Sequence, residues 1–122
     1  MNGPWPKASP QLADQFRELA AGLEGVDVRK MFGFPAGFVN GNMAIGMFGD
    51  TYLVRLPEER RTERLAAGWS LFEPMPGRPM REYVALPPEV AADPEAARPW
   101  LALAATHVAT LPPKQPKPRK RA

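Results

Sequence analysis

Apolar residues recur along this chain with two different periods. Leu12, Phe16, Leu19 and Leu23 are spaced by four, three and four, which puts them on one face of a helix with Asp14, Arg17 and Glu18 mostly outside it. Ser9 supplies the N-cap and Pro10 the first helical position, where proline forfeits no needed hydrogen bond. Gly22 or Gly25 is available to end the helix. From Val26 the period changes to two. Val26 and Val28 alternate with Asp27 and Arg29 as a first strand, which Gly33, Pro35 and Gly37 bend before Phe38-Val39 resumes it. Asn40-Gly41 supplies the positive φ angles of a tight hairpin. Met43, Ile45 and Met47 then face one way and Ala44, Gly46 and Phe48 the other, so both faces are apolar, as in a central strand covered on part of each side. Gly46 marks a close backbone approach or a bulge. After Gly49-Asp50, the strand Thr51 to Leu56 puts Tyr52, Val54 and Leu56 on one face, with Thr51, Leu53 and Arg55 on a partly wet reverse.

Pro57 ends that strand and opens a helix from Glu58 to Ala67, closed by Gly68 and dominated by alternating glutamates and arginines. Pairs such as Glu58 with Arg61 and Arg60 with Glu63 make it a solvated helix, and the interspersed glutamates weigh against an arginine face for a polyanion. Leu71-Phe72 leads through a proline-rich turn, Pro74 to Met80, into a fourth strand, Arg81 to Leu86, reached by a crossover through the polar helix. Pro87-Pro88 stops that strand. Asp93-Pro94-Glu95 is a helix start, and the last helix runs to about Leu111. Pro99 costs such a helix about 3 kcal/mol, so the helix either kinks there or begins there. Trp100, Leu103 and His107 share one of its faces. The pattern predicts an α+β fold: a small antiparallel sheet of about four strands with a β-meander core, flanked by N-terminal and C-terminal helices.

The charge changes this picture at one end only. The formal net charge of the 122 residues is +3, and Lys114, Lys117, Arg119, Lys120 and Arg121 lie in the last nine. Subtracting those five leaves residues 1–113 at −2. Alternating with prolines, the cations have no apolar surface to offset their ordering entropy, so the chain divides into a flexible lead (1–9), a domain (10–112) and a disordered basic tail (113–122). Such a tail reads first as a solubilising terminus and second as a nucleic-acid anchor, whose contact would be weak, sequence-independent and salt-sensitive. The absence of cysteine removes disulfide and thiolate chemistry, which fits the cytoplasm, and no apolar run approaches a membrane span. One histidine and dispersed acids predict no metal, the glycines make no phosphate loop, and Ser9 and Ser70 stand in no nucleophile context. No cofactor and no enzymatic activity are expected.

The order Arg29-Lys30-Met31-Phe32-Gly33, apolar hairpin through Asn40-Gly41, Tyr52-Leu53-Val54-Arg55, then Phe72, Gly77-Arg78-Pro79-Met80 and Tyr83 resembles the N-terminal domain of the TfoX/Sxy family of bacterial competence regulators, over about residues 11–112. Full-length members continue into a second, helical domain, in place of which this sequence carries the basic tail, so the resemblance is to the stand-alone form. The resemblance implies an α+β domain, cytoplasmic and without cofactor, with a role in regulating transcription of DNA-uptake genes beside a cyclic-AMP-dependent activator. It supplies no catalytic residues. Met31, Phe32, Gly33, Gly77, Pro79, Met80 and Tyr83 are its marks, and turns and core packing account for them.

Two functions follow from different classes. One is a non-enzymatic protein-binding, regulatory module, with the strand Arg81 to Leu86 as a sheet edge that pairs with a second copy to give a homodimer. The other is a binder of a small anionic ligand, or an enzyme, using a pocket beside the sheet where Arg29, Lys30, Arg78 and Arg81 gather.

Overall fold

The structure, a computed structural model, describes residues 9–31, 33–75 and 77–113. Phe32, most of the lead and the tail cations Lys114, Lys117, Arg119, Lys120 and Arg121 lie outside the described residues. The elements are α1 (Pro10–Ala21), β1 (Asp27–Met31), β2 (Phe34–Val39), β3 (Asn42–Phe48), β4 (Thr51–Arg55), α2 (Glu58–Ala66), β5 (Ser70–Met75), β6 (Arg78–Ala85), α3 (Pro88–Ala91) and α4 (Pro94–Ala109).

The fold is α+β, with six strands rather than four. They form one antiparallel sheet in the order β1-β2-β3-β4-β6-β5. Two expectations are corrected by this count. The bent first strand is a hairpin, because Gly33 adopts φ +82 and reverses the chain between β1 and β2. The segment Ser70–Met75, expected as the approach to a turn, is a strand paired with β6. Its proline falls on the outermost strand, where a missing N–H does no harm. As a consequence β6 is paired on both sides, by β4 and β5, so the strand proposed as a dimer edge is internal and the edges are β1 and β5.

The helices α1, α3 and α4 cover one face, with α4 against β2, β3 and β4. Ser9 caps α1 by accepting from Leu12 N, as its sequence predicts. Asp93 caps α4, which starts at Pro94 and continues through Pro99. Phe16, Ile45, Tyr52, Val54, Val84, Leu101 and Val108 are fully buried between helices and sheet. Leu12 and Leu23, at the ends of the predicted stripe of α1, are only partly buried. Gln15 on α1 donates to the Tyr52 hydroxyl (2.9 Å) and to the Ala91 carbonyl (2.8 Å), and Tyr52 donates to the Leu12 carbonyl (2.8 Å), so one polar cluster ties α1, β4 and α3 together.

Strict alternation in β3 is interrupted. Gly37 pairs with Ile45 and Phe38 with Met43, leaving Ala44 as an extra residue, so Ala44 and Ile45 both enter the core. The tight glycine is Gly37, not Gly46. A Cβ on Gly37 would lie 2.7 Å from Ile45 Cγ1 and 2.8 Å from Val26 Cγ1, whereas one on Gly46 would meet only ordinary contacts of 3.7–3.8 Å.

The opposite face is partly wet at its ends, with Thr51 and Arg55 half-buried, and dry at its middle. Leu53, expected on a partly wet reverse, is 3% exposed. Flat strands stand about 4.8 Å apart, which would separate β3 from β5 by roughly 14 Å. Yet the rings of Phe48 on β3 and Phe72 on β5 meet edge to face at 5.1 Å, and Phe34 on β2 meets Phe48 at 5.3 Å. The sheet therefore coils upon itself and covers part of its second face with its own side chains.

Candidate functional site

The second face of the sheet brings together the residues that mark the resemblance. Met31, at the end of β1, and Met80, in β6, line one apolar cavity of about 30 Å³ with Phe34, Phe48, Leu53 and Phe72. That is the volume of about a single water, and no polar side chain faces it. Gly33 and Gly77 turn the two hairpins that deliver those methionines, with φ of +82 and +77. At the second turn the Gly77 N–H donates to the Glu73 carboxylate. Gly33 and Gly77 thus stand in turns of the coiled sheet, and Met31 and Met80 in the lining of its cavity.

Beside this cavity an open cleft of about 470 Å³ is lined by Arg55, Pro79, Met80, Arg81, Glu82 and Tyr83. Strand register makes it: Arg55 stands opposite Tyr83 across β4 and β6. Arg55 Nη2 lies 2.6 Å from the Glu82 carboxylate and its Nε donates to the same oxygen at 2.8 Å. The guanidinium carbon also sits 5.9 Å from the centre of the Tyr83 ring. Tyr83 spans the face and donates to the Met43 carbonyl at 2.9 Å. Burial pushes the phenol of Tyr83 up, the Arg55 charge opposing, so it is a neutral hydrogen-bond donor at pH 7. Pro79 and Met80 also line this cleft, so three of the marks (Pro79, Met80, Tyr83) border it.

Cations gather near the same corner. Arg61 of α2 donates to the Arg81 carbonyl at 3.5 Å. His107, half-buried near the end of α4, has its imidazole held below the usual range by burial and by the charges of Arg55 and Arg61, against a smaller opposing effect of Glu82. The expected gathering of Arg29, Lys30, Arg78 and Arg81 takes a different form. Arg29 is engaged on β1 with Asp27 at 2.8 Å and lies 5.3 Å above the Phe38 ring. Lys30 and Arg78 are exposed, and of the four only Arg81 lines the cleft. The cationic residues that accompany it are Arg61, on the helix face that the sequence weighs against as a polyanion site, and Arg55, which sequence reasoning passed over. Their signal was weak, since Arg55 and Glu82 are 27 positions apart and only strand register makes them neighbours. Among the described residues no group of three or more histidine and carboxylate side chains is placed to hold a metal ion, and no helix is long and apolar enough to cross a membrane.

The family of the TfoX N-terminal domain matches residues 7–108. No curated protein and no solved structure matches this chain.

Proposed function

Because this chain belongs to the TfoX N-terminal domain family, we propose that it is a non-enzymatic regulatory module of the cytoplasm that works by binding a protein partner in the control of transcription. The family supports the regulatory part of this reading, and competence regulators supply the expected targets, DNA-uptake genes read beside a cyclic-AMP-dependent activator. The observation that carries the binding part is β1. Among the described residues it pairs only with β2, and four of its five residues are exposed. An edge strand of this kind offers backbone donors and acceptors to an extended partner. The test is transcript profiling in the source organism with the gene deleted and then restored. A defined set of transcripts that changes on deletion and returns on restoration is expected, and unchanged transcripts under conditions where the protein is made would contradict the reading.

A second reading, a site for a small anion, rests on the cleft beside Tyr83. Arg55, Arg61 and Arg81 outnumber the one carboxylate, Glu82, at that corner. An anion bound there stabilises the imidazolium of His107 and so raises its depressed pKa. Titration of the His107 ring resonances by NMR, with and without inorganic phosphate at constant ionic strength, is expected to show that rise, and an unmoved titration would exclude the site.

A further inference from the structure

Charged residues on a sheet edge ordinarily discourage pairing, but those of β1 are ordered so that they match a second copy of the same strand. Deepening the regulatory reading, on which it rests, we propose that the protein self-associates by antiparallel pairing of β1 with β1 of a second copy, about a two-fold axis centred on Val28.

The register follows from geometry. Antiparallel pairing of two identical edges requires a two-fold axis perpendicular to the sheet, which carries each face onto the same face of the copy. Side chains alternate along a strand, so residues that oppose one another must share a face, and the axis must pass through a residue rather than between two. Centred on Asp27 it opposes two carboxylates, and centred on Arg29 or Lys30 it opposes two cations, which is destabilising. Centred on Met31, the last residue of β1, it leaves most of the strand unpaired. Centred on Val28, it opposes Val28 to Val28 and sets Asp27 against Arg29 of the second copy, twice by symmetry.

Two observations support that choice. Val28 is 37% exposed, one of the two large apolar side chains the described residues leave open, and this register covers it with an identical partner. The Asp27–Arg29 pair within one strand is solvent-exposed, each side chain 61% accessible. Pairs so exposed contribute little, so exchanging the two intrastrand pairs, one in each copy, for two cross-strand pairs costs little. The other edge, β5, holds Pro74 within the strand, which lacks the N–H that pairing needs.

Sedimentation velocity of the full chain, from low to several hundred micromolar, tests the proposal, with hydrogen exchange to locate the contact. A reversible dimer is expected, with amides of Val26 to Lys30 gaining protection as concentration rises. Asp27→Arg and Arg29→Asp each turn two attractive pairs into two repulsive ones and should weaken the dimer about tenfold. The double exchange, Asp27→Arg with Arg29→Asp, restores opposite charges and should restore association. All three variants alter exposed side chains, and circular dichroism checks that they fold. A protein that stays monomeric throughout, or a dimer indifferent to the single reversals, would overturn this interface. The transcript experiment is independent of it, so failure of the dimer and failure of the regulatory reading are told apart.

Discussion

Tyr52 buries a phenol that donates to Leu12 and accepts from Gln15, with its ring edge-on to Phe16 at 5.2 Å. Tyr52→Phe keeps the ring and removes the oxygen, so chemical denaturation should show a loss of about 1–2 kcal/mol. Burial pushes this phenol up to about 12, the hydrogen bond from Gln15 countering in part. Its ionised form is therefore disfavoured in the folded state. Stability is fully present below the unfolded value near 10 and falls as pH rises from there towards 12, by at most ~1.4 kcal/mol per unit. Denaturation midpoints followed from pH 9 to 12 should fall more steeply for the native chain than for Tyr52→Phe. Gly37 illustrates the opposite constraint, a residue defined by the room it does not take. Gly37→Ala forces Ile45 or Val26 to move and should cost about 1–3 kcal/mol in the same assay.

Elements differ in how they are held, and in how plainly the sequence announces them. The start of α1 and its buried Phe16 and Leu19 are read from the sequence, because its cap, its proline and its apolar stripe are all local, though the stripe's ends, Leu12 and Leu23, are only partly buried. The helix α2 is read correctly too, yet it has no buried residue, and the sequence does not say what docks it. The structure answers with Arg64, whose guanidinium carbon lies 5.2 Å from the centre of the Trp69 ring and 5.1 Å from that of Trp100, the two rings meeting edge to face at 5.0 Å. Arg64→Ala should loosen this helix, with faster amide exchange across residues 58–66 and a loss of about 1 kcal/mol in global stability. Of the expected pairs on α2, Arg60 with Glu63 forms at 2.9 Å, while Arg61 turns to the Arg81 carbonyl instead. In α4 the missing N–H of Pro99 falls past the first turn. Pro99→Ala should stabilise by about 2 kcal/mol in thermal denaturation, the gain of the helix bond less the entropy that proline removes from the unfolded chain. The strand β5 was illegible because Pro74 and Pro76 read as a turn, and β1 and β2 merged because their joint at Gly33 has no two-residue hairpin signal.

At the scale of the whole molecule, the residues that identify the domain divide between its packing, where Met31 and Met80 line the apolar cavity, and its surface chemistry, where Pro79, Met80 and Tyr83 line the cleft. Met31, Gly33, Gly77 and Met80 were legible as marks because they recur in a recognisable order. Their convergence was not, since it depends on a sheet coiled tightly enough for its first and fifth strands to share a cavity. The Arg55–Glu82–Tyr83 corner was hidden for a related reason, because register between distant strands is not written in either strand alone. The regulatory reading places function at the edge strand β1, the anion reading at the cleft, and both leave Met31 and Met80 to hold the sheet closed.

That closure is tested most directly by a double-mutant cycle between Met31 and Met80. The two lie on strands that a flat sheet would hold about 19 Å apart, a distance at which substitutions add. If both line the cavity that closes the coiled sheet, Met31→Ala and Met80→Ala should couple, with an interaction energy of about 0.5 kcal/mol or more in chemical denaturation. Losses that add within experimental error would contradict the closed sheet and return both methionines to separate surfaces.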